Sequence, residues 1–253
     1  IEAELSRHNY EILLGIAGLN VEKGRHLMKK FSSGMVDGVI NMLPQISNTE
    51  AIQLCGSTPV ITHLRCPESP IYIDFEDGAR QALEYLWGCG HRRIGLIASA
   101  TRRYPVVDPF LTAYRNFMAA HNAESLPELE MTGNDTTAEG RAIADLLIGR
   151  GVTAILAAND QMAVGAYQAA YARGMKLPEE LSVIGSDDSP LATSVYPALT
   201  TIQLPLREIA RHTVEAFLNR VNGGAPRQTQ VVIPRLIIRD SVAELRAGTG
   251  TME

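Results

Sequence analysis

The chain has 253 residues, of which 45% are hydrophobic and 20% are charged, and its formal net charge is −5 at pH 7. This length exceeds the about 100–150 residues of a typical single domain, so we expect two lobes. The acidic balance argues against a nucleic-acid-binding surface formed by this chain alone, because neutralising phosphates requires a clustered basic face.

Strand-like and helix-like stretches alternate along nearly the whole chain. In chain order we predict a strand at 11–18, a helix at 21–33, a strand at 36–43, a helix at 49–55, a strand at 59–64, a helix at 76–87, a strand at 93–99, helices at 110–121 and 138–148, a strand at 153–158, a helix at 161–173, a strand at 181–186, a helix at 205–221 and a strand pair at 229–239 that Pro234 interrupts. Short apolar strands between amphipathic helices are typical of parallel sheets covered on both faces. The pattern predicts an α/β fold with two such sheets, in which ligands bind beyond the carboxyl ends of the strands.

The cysteines and histidines do not indicate a metal or catalytic site. Cys55, Cys66 and Cys89 are odd in number and form no CxxC pair, so we expect buried, reduced thiols in a cytoplasmic protein. His91 in GHRR is interpreted as a residue of a helix-to-strand turn. No GxGxxG, P-loop, HExxH or GxSxG motif is present. We therefore expect no enzyme activity, no cofactor and no metal.

One predicted strand, TAILAA, ends abruptly in Asn159–Asp160 at the start of an Ala-rich helix. Asp160 is predicted to be the N-cap of that helix, because its carboxylate can accept a backbone N–H of the first turn. Asn159 is then expected at the strand end with its side chain directed into a cleft. The alternative is an Asn that only satisfies loop backbone groups.

A second strand, LSVIGS, ends in the adjacent carboxylates Asp187–Asp188. Such a pair could ligate a metal, act as an acid/base pair or accept hydrogen bonds from hydroxyl groups. A metal is poorly supported because no His is nearby and hard cations usually take more oxygen ligands. Acid/base catalysis would need a nucleophile or an activated water. Two solvated loop aspartates remain the alternative to hydroxyl binding.

Four phrases then occur in order, and a fifth follows them near the end of the chain: GHRRIGLI (90–97), ANDQMAVGA (158–166), LPEELSVIGSDD (177–188), PALTTIQLP (197–205) and PRLIIRDSVA (234–243). Together they resemble the effector-binding core of the LacI/GalR family of bacterial transcription regulators. The similarity extends to about residue 243. It implies a two-lobed periplasmic-binding-protein-like fold.

The resemblance also implies how the lobes are divided. The N-terminal lobe would comprise 1–73 and 206–233, and the C-terminal lobe 74–205 and 234–245, with three crossovers and a disordered tail at 246–253. The effector would bind between the lobes, and closure would change the geometry of paired DNA-binding headpieces. A helix-turn-helix headpiece, a hinge helix, a first strand and half of a first helix are expected to precede Ile1.

Family contacts can be carried over position by position. Asn159 and Asp187 match residues that hydrogen-bond the effector in the family. An aromatic residue that often stacks on a sugar ring falls at Asp135, and a glutamine common on the last crossover falls at Leu204. A family arginine falls at Ala113, and an acidic residue falls at Leu64. We expect Asn159, Asp187, Asp135 and Leu204 to line the effector site.

The loop at 98–109 is longer than usual in the family and carries Arg102, Arg103 and Tyr104 near the predicted cleft. Paired arginines can clamp a carboxylate or a phosphate, whereas a solvated basic loop is the simpler interpretation. The expected effector is therefore a sugar, a sugar acid or a sugar phosphate.

The first hypothesis that the resemblance implies is a homodimeric, ligand-responsive transcription repressor whose headpiece binds operator DNA. A periplasmic sugar-type solute-binding protein is the alternative, because it shares the two-lobed fold. No apolar run approaches the ~18 residues of a membrane span, so we expect no membrane association.

We predict that residues 1–253 alone do not bind DNA selectively, because an acidic chain cannot neutralise a row of phosphates. A gel-shift assay with operator-containing and random duplexes measures this. Salt-sensitive, sequence-selective binding by the fragment would contradict it.

Overall fold

The computed structural model describes residues 1–18, 20–62, 69, 71–100, 108–123, 126–225 and 228–245. The chain divides into two compact units. The first is formed by Ile1–Asp74 and Pro205–Ile233, and the second by Phe75–Leu204 with the chain from Pro234 onward. The segment 101–107 and the tail at 246–253 lie outside the described residues.

The helices and strands of the described residues alternate along the chain. The helices are α1 (Glu2–Ser6), α2 (Val21–Phe31), α3 (Asn48–Cys55), α4 (Phe75–Gly88), α5 (Pro109–Ala120), α6 (Thr137–Gly149), α7 (Asp160–Ala172), α8 (Pro190–Ser194) and α9 (Leu206–Val221). The strands are β1 (Val39–Ile40), β2 (Val60–Ile61), β3 (Ile71–Ile73), β4 (Ile94–Ser99), β5 (Glu130–Gly133), β6 (Ala154–Ala157), β7 (Ser182–Asp187), β8 (Thr200–Gln203), β9 (Gln230–Val232) and β10 (Arg235–Ile237). Among the described helices, none is both long and apolar enough to cross a membrane.

The second unit is built on a six-stranded sheet in the order β10-β8-β7-β6-β4-β5. All neighbours pair in parallel except β10, which runs antiparallel to β8. Every residue of β4 and β6 is buried, as expected for parallel strands with helices on both faces. A Cβ on Gly95 would lie 3.0 Å from Leu147 of α6, while Gly78 of α4 lies against Ile202 on the other face.

The first unit has much less sheet than the sequence predicts. The described residues contain two parallel pairs there, β1 with β2 and β3 with β9. The strand predicted at 11–18 is wrong, since no strand is formed there and Leu14 and Ile16 are 74% and 68% exposed. Apolar β-formers make a strand only where a neighbouring strand supplies a ladder, and among the described residues none pairs with this segment. The strand predicted at 36–43 shortens to β1 for the same reason.

The predicted helices and the strands predicted in the second unit are confirmed, with ends shifted by one or two residues. Three strands were not predicted: β3, β5 and β8. They are three or four residues long, and EMTG and TTIQ lack a continuous apolar run. The predicted strand pair at 229–239 is correct in its parts, but β9 and β10 join different sheets. The expectation of two parallel sheets is corrected accordingly to one large sheet and two small ones among the described residues.

Helices α6 and α7 approach each other through two glycines. A Cβ on Gly165 would lie 2.4 Å from the Thr137 carbonyl oxygen, and a Cβ on Gly140 would lie 2.5 Å from Met162 backbone atoms. Contacts this short leave no room for a side chain, so the two backbones themselves form the interface. The pair covers the sheet face that leads to the site described below.

We predict that Gly165→Ala lowers the free energy of unfolding by at least about 1–3 kcal/mol, because a methyl group must push α6 away. Urea denaturation measures the change. Gly88→Ala is the matched control, since Gly88 ends α4 with nothing within 4 Å of its added Cβ. A Gly165→Ala protein as stable as the control would contradict the packing.

Candidate functional site

Polar side chains gather at the carboxyl edge of the six-stranded sheet. Ser99 ends β4, Asn159 follows β6, Asp187 ends β7 and Gln203 ends β8. The register pairs Asp187 directly with Gln203. The pairing of β4 with β6 and of β6 with β7 brings Ser99 and Asn159 into the same row across the sheet. Because strand side chains alternate with a period of two, these four belong to the face that α6 and α7 cover. We call them, with Asp135, the edge row.

Asn159, rather than Asp160, is the N-cap of α7. Its Oδ1 accepts a hydrogen bond from the Met162 backbone N–H at 2.7 Å, and its Nδ2 donates to Asp135 Oδ1 at 2.8 Å. The side chain is 7% exposed. The predicted cap at Asp160 is therefore wrong, because α7 begins one residue earlier than expected, at Asp160 itself. Asn159 lies at the strand end as expected, and its contact with an effector stays a prediction.

Asp160 is a buried carboxylate, 1% exposed, beneath the end of β7. Its Oδ1 accepts from the Thr201 hydroxyl at 2.6 Å and its Oδ2 from the Ser189 backbone N–H at 2.7 Å. Burial raises the pKa of the Asp160 carboxyl above its ordinary value, and these two hydrogen bonds oppose the rise. The residue holds neighbouring chain segments together and does not belong to the edge row.

Asp135 follows β5 and connects two members of the edge row. Its Oδ2 accepts from the Ser99 hydroxyl at 2.8 Å, and its Oδ1 accepts from Asn159. The backbone φ of Asp135 is 66°, a left-handed conformation that Asp and Asn adopt more readily than most residues. Ser99 is fully buried, whereas Asp135 is half-buried, so its carboxylate is the part of this network nearer to solvent.

The two carboxylates after β7 have different partners. Asp188 accepts from Arg239 Nη2 at 2.6 Å and from Gln203 Nε2 at 2.7 Å, so it is neutralised within the protein. Asp187 is half-buried, and its φ is 112°. Asp187 is a candidate for a ligand contact because it is half-buried at the end of β7, in the edge row.

Both the sequence and the fold of this chain match those of known proteins. A family described as a periplasmic-binding-protein-like domain matches residues 83–242, more than half of the chain. The chain belongs to this family. The chain is 35% identical to the HTH-type transcriptional regulator MalR of Streptomyces coelicolor over 68% of the chain and 52% of that protein. A structure described as a regulatory protein of LacI family from Chloroflexus aggregans superimposes with a TM-score of 0.79 at 31% identity, covering 96% of the chain and 90% of that structure, which places the chain in the LacI family.

Two further relatives match most of the chain. The ribose operon repressor of Haemophilus influenzae is 27% identical over 97% of the chain and 76% of that protein. A structure described as the transcriptional regulator CelR-cellobiose complex superimposes with a TM-score of 0.83 at 27% identity, covering 95% of the chain and 76% of that structure. The chain spans about half the length of the first curated relatives it matches.

The other residues predicted from the LacI/GalR resemblance are distributed unevenly. Leu204 lies directly after β8 and is half-buried, and its side chain has no polar group that could join the edge row. Ala113 is buried within α5. Arg102, Arg103 and Tyr104 lie outside the described residues, as does Leu64. Among the part of the chain that is described, no group of three or more His, Cys, Asp or Glu side chains could hold a metal ion.

Sequence reasoning missed Ser99 and Gln203. Both end strands of the same sheet, as Asn159 and Asp187 do, so the position of a polar residue after an apolar run was the available signal for Ser99. Gln203 could not be found in this way because β8 itself was not recognised.

We predict that Asn159→Ala lowers the free energy of unfolding by about 1 kcal/mol through loss of the cap, while Asn159→Ser stays near the parent because serine caps equally well. Urea denaturation of the three proteins measures this. Equal losses for alanine and serine would show that the bond to Asp135, not the cap, carries the stability.

Proposed function

We propose that this chain is the effector-binding region of a ligand-responsive, LacI/GalR-type transcription regulator, and that the effector binds at the edge row. The observation that carries the proposal is the network in which Ser99 and Asn159 both donate to the half-buried carboxylate of Asp135. A carboxylate that is held in place by hydrogen bonds is a fixed acceptor for ligand hydroxyls. Asp187 supplies a second acceptor on the same sheet edge.

The chemistry of the edge row favours a neutral, polyhydroxylated ligand. A carboxylate, such as that of Asp135 or Asp187, accepts hydrogen bonds and donates none, and a sugar presents several hydroxyl donors. An acidic or phosphorylated sugar would bring like charge against both carboxylates. We therefore propose a neutral sugar and place the sugar acid and sugar phosphate second. The arginines at 102 and 103 would have to offset that repulsion for the anionic sugars to bind.

The relatives favour a regulator over a periplasmic sugar-type solute-binding protein, because those compared above are described as regulators or repressors. As part of this proposal the intact protein is a cytoplasmic, homodimeric repressor without enzymatic activity. Operator DNA is bound by a helix-turn-helix outside this chain. The dimer is two-fold symmetric in this proposal because helix-turn-helix domains bind two half-sites on a DNA duplex.

We predict that a neutral sugar raises the melting temperature of this protein more than its acidic or phosphorylated counterpart does. Cellobiose and ribose are the first probes because they occur in the names of relatives. A thermal-shift series that compares each sugar with its own anionic derivatives, such as ribose with ribonate and ribose 5-phosphate, measures the order. A stronger shift with either anion would contradict the neutral-sugar proposal.

We predict that Asp187→Asn weakens binding of the stabilising sugar roughly 10-fold, because a charge-assisted hydrogen bond becomes a neutral one. Asparagine also tolerates the positive φ at this position. Calorimetric titration measures the dissociation constant. Asp240→Asn removes an exposed carboxylate elsewhere in the same unit and serves as the charge-matched control. Unchanged affinity in Asp187→Asn would remove Asp187 from the site.

A further inference from the structure

The turn after β7 contains two consecutive residues in an unfavourable backbone conformation. Asp187 has a φ of 112° and Asp188 a φ of 52°, and neither is glycine. Residues held in such regions persist only where the surrounding structure over-determines them. Because this turn carries a carboxylate of the proposed effector site, what holds it decides the direction of the Asp187 side chain.

One restraint acts on the side chain of Asp188. Arg239 donates to one of its carboxylate oxygens through Nη2 and to the Leu199 carbonyl oxygen through Nη1. Gln203 donates to the other carboxylate oxygen. This ties Asp188 to β8 and to the segment after β10, but it does not reach the backbone on the far side of the turn.

The second restraint acts on the backbone and comes from Asp160. Its carboxylate accepts from the Ser189 N–H at 2.7 Å and from the Thr201 hydroxyl at 2.6 Å. The Thr201 hydroxyl oxygen in turn accepts from the Asp188 N–H at 3.4 Å. Two successive backbone N–H groups of the turn are thus held directly or through one hydroxyl by a single buried carboxylate.

The sequence of β7 accommodates this carboxylate. A Cβ on Gly185 would lie 2.4 Å from Asp160 Oδ1, so any other residue there would displace the Asp160 side chain. Gly185 precedes Asp187 by two and therefore belongs to the same face of the strand. The absence of a side chain at Gly185 is what lets Asp160 pass beneath β7 and reach the turn.

We propose that Asp160 is a positioning residue for the effector site: it fixes the Asp187–Asp188 turn through Ser189 and Thr201, and so sets the direction of the Asp187 carboxylate. The part that concerns binding rests on the proposed function. Asp160 itself contacts no ligand, because it is 1% exposed and both of its oxygens are occupied by protein donors.

The first test needs no ligand. Asp160→Asn keeps the shape of the side chain but leaves one carbonyl oxygen for two donors and sets an NH₂ group against one of them. Amide hydrogen exchange in residues 186–189 is expected to accelerate about 10-fold or more, while exchange in β4 and in α9 stays at the parent rate. Unchanged exchange at 186–189, or equal acceleration in β4, would overturn the proposal.

Thr201 provides a second pair of variants in case Asp160→Asn folds poorly. Thr201→Val removes the hydroxyl at nearly constant volume, and Thr201→Ser retains it. Valine should reproduce the faster exchange at 186–189, and serine should exchange at the parent rate. Equal behaviour of valine and serine would show that the hydroxyl link does not hold the turn.

A double-mutant cycle tests the link to binding, with whichever of cellobiose and ribose stabilises the parent as the probe. Asp160→Asn should weaken binding in the parent but add little in an Asp187→Asn background, because its effect passes through Asp187. Additive losses would overturn the positioning role. If the parent binds neither sugar, the proposed effector class fails, while the exchange measurements still decide whether Asp160 holds the turn.

Discussion

The buried carboxylate of Asp160 joins three segments that are distant in sequence: the first turn of α7, the residue after the β7 turn and the middle of β8. A buried carboxylate without hydrogen-bond partners would be strongly unfavourable, so the three segments must keep their mutual positions for the charge to be tolerated. Gly185 is part of the same constraint because a side chain there would occupy the place of the carboxylate. The carboxyl edge of the sheet therefore has a rigid base.

The edge row is organised on this base before any ligand is present. Ser99 and Asn159 are buried and already point their donors at Asp135. The side chains of the protein therefore lose little conformational entropy when a ligand binds to them in this arrangement, which improves affinity for a given set of contacts. The N-termini of α5, α6 and α7 follow strands of the same sheet, and their partial positive charge offsets part of the negative charge of the aspartates.

The predictability of this protein from sequence follows the strength of each local signal. The helices and the long apolar strands of the second unit were predicted because each carries its own periodicity. The segment 11–18 has the composition of a strand, but among the described residues no strand pairs with it; TTIQ pairs with a neighbouring strand but lacks the composition of one. The end of a buried strand was a sufficient signal to place Asn159 and Asp187 at the edge of the sheet, and their role in a site stays a prediction. The partners that orient them, Ser99 and Gln203, depend on pairing between strands.

The exchange of roles between Asn159 and Asp160 shows how sheet geometry overrides a local preference. Either residue is a good N-cap by type, and the sequence alone favoured the charged one. The alternation of β6 instead puts position 159 on the face of Ser99 and Asp187, where an amide can cap α7 with its oxygen and donate to Asp135 with its nitrogen. A carboxylate at 159 could cap the helix but would repel Asp135, while an amide at 160 offers only one acceptor oxygen to the two donors, the Ser189 N–H and the Thr201 hydroxyl. The same division recurs at Asp187 and Asp188, where one carboxylate is held by Arg239 and the other remains at the sheet edge. In both dipeptides the two neighbouring residues face different surroundings, and one of the two lies in the edge row.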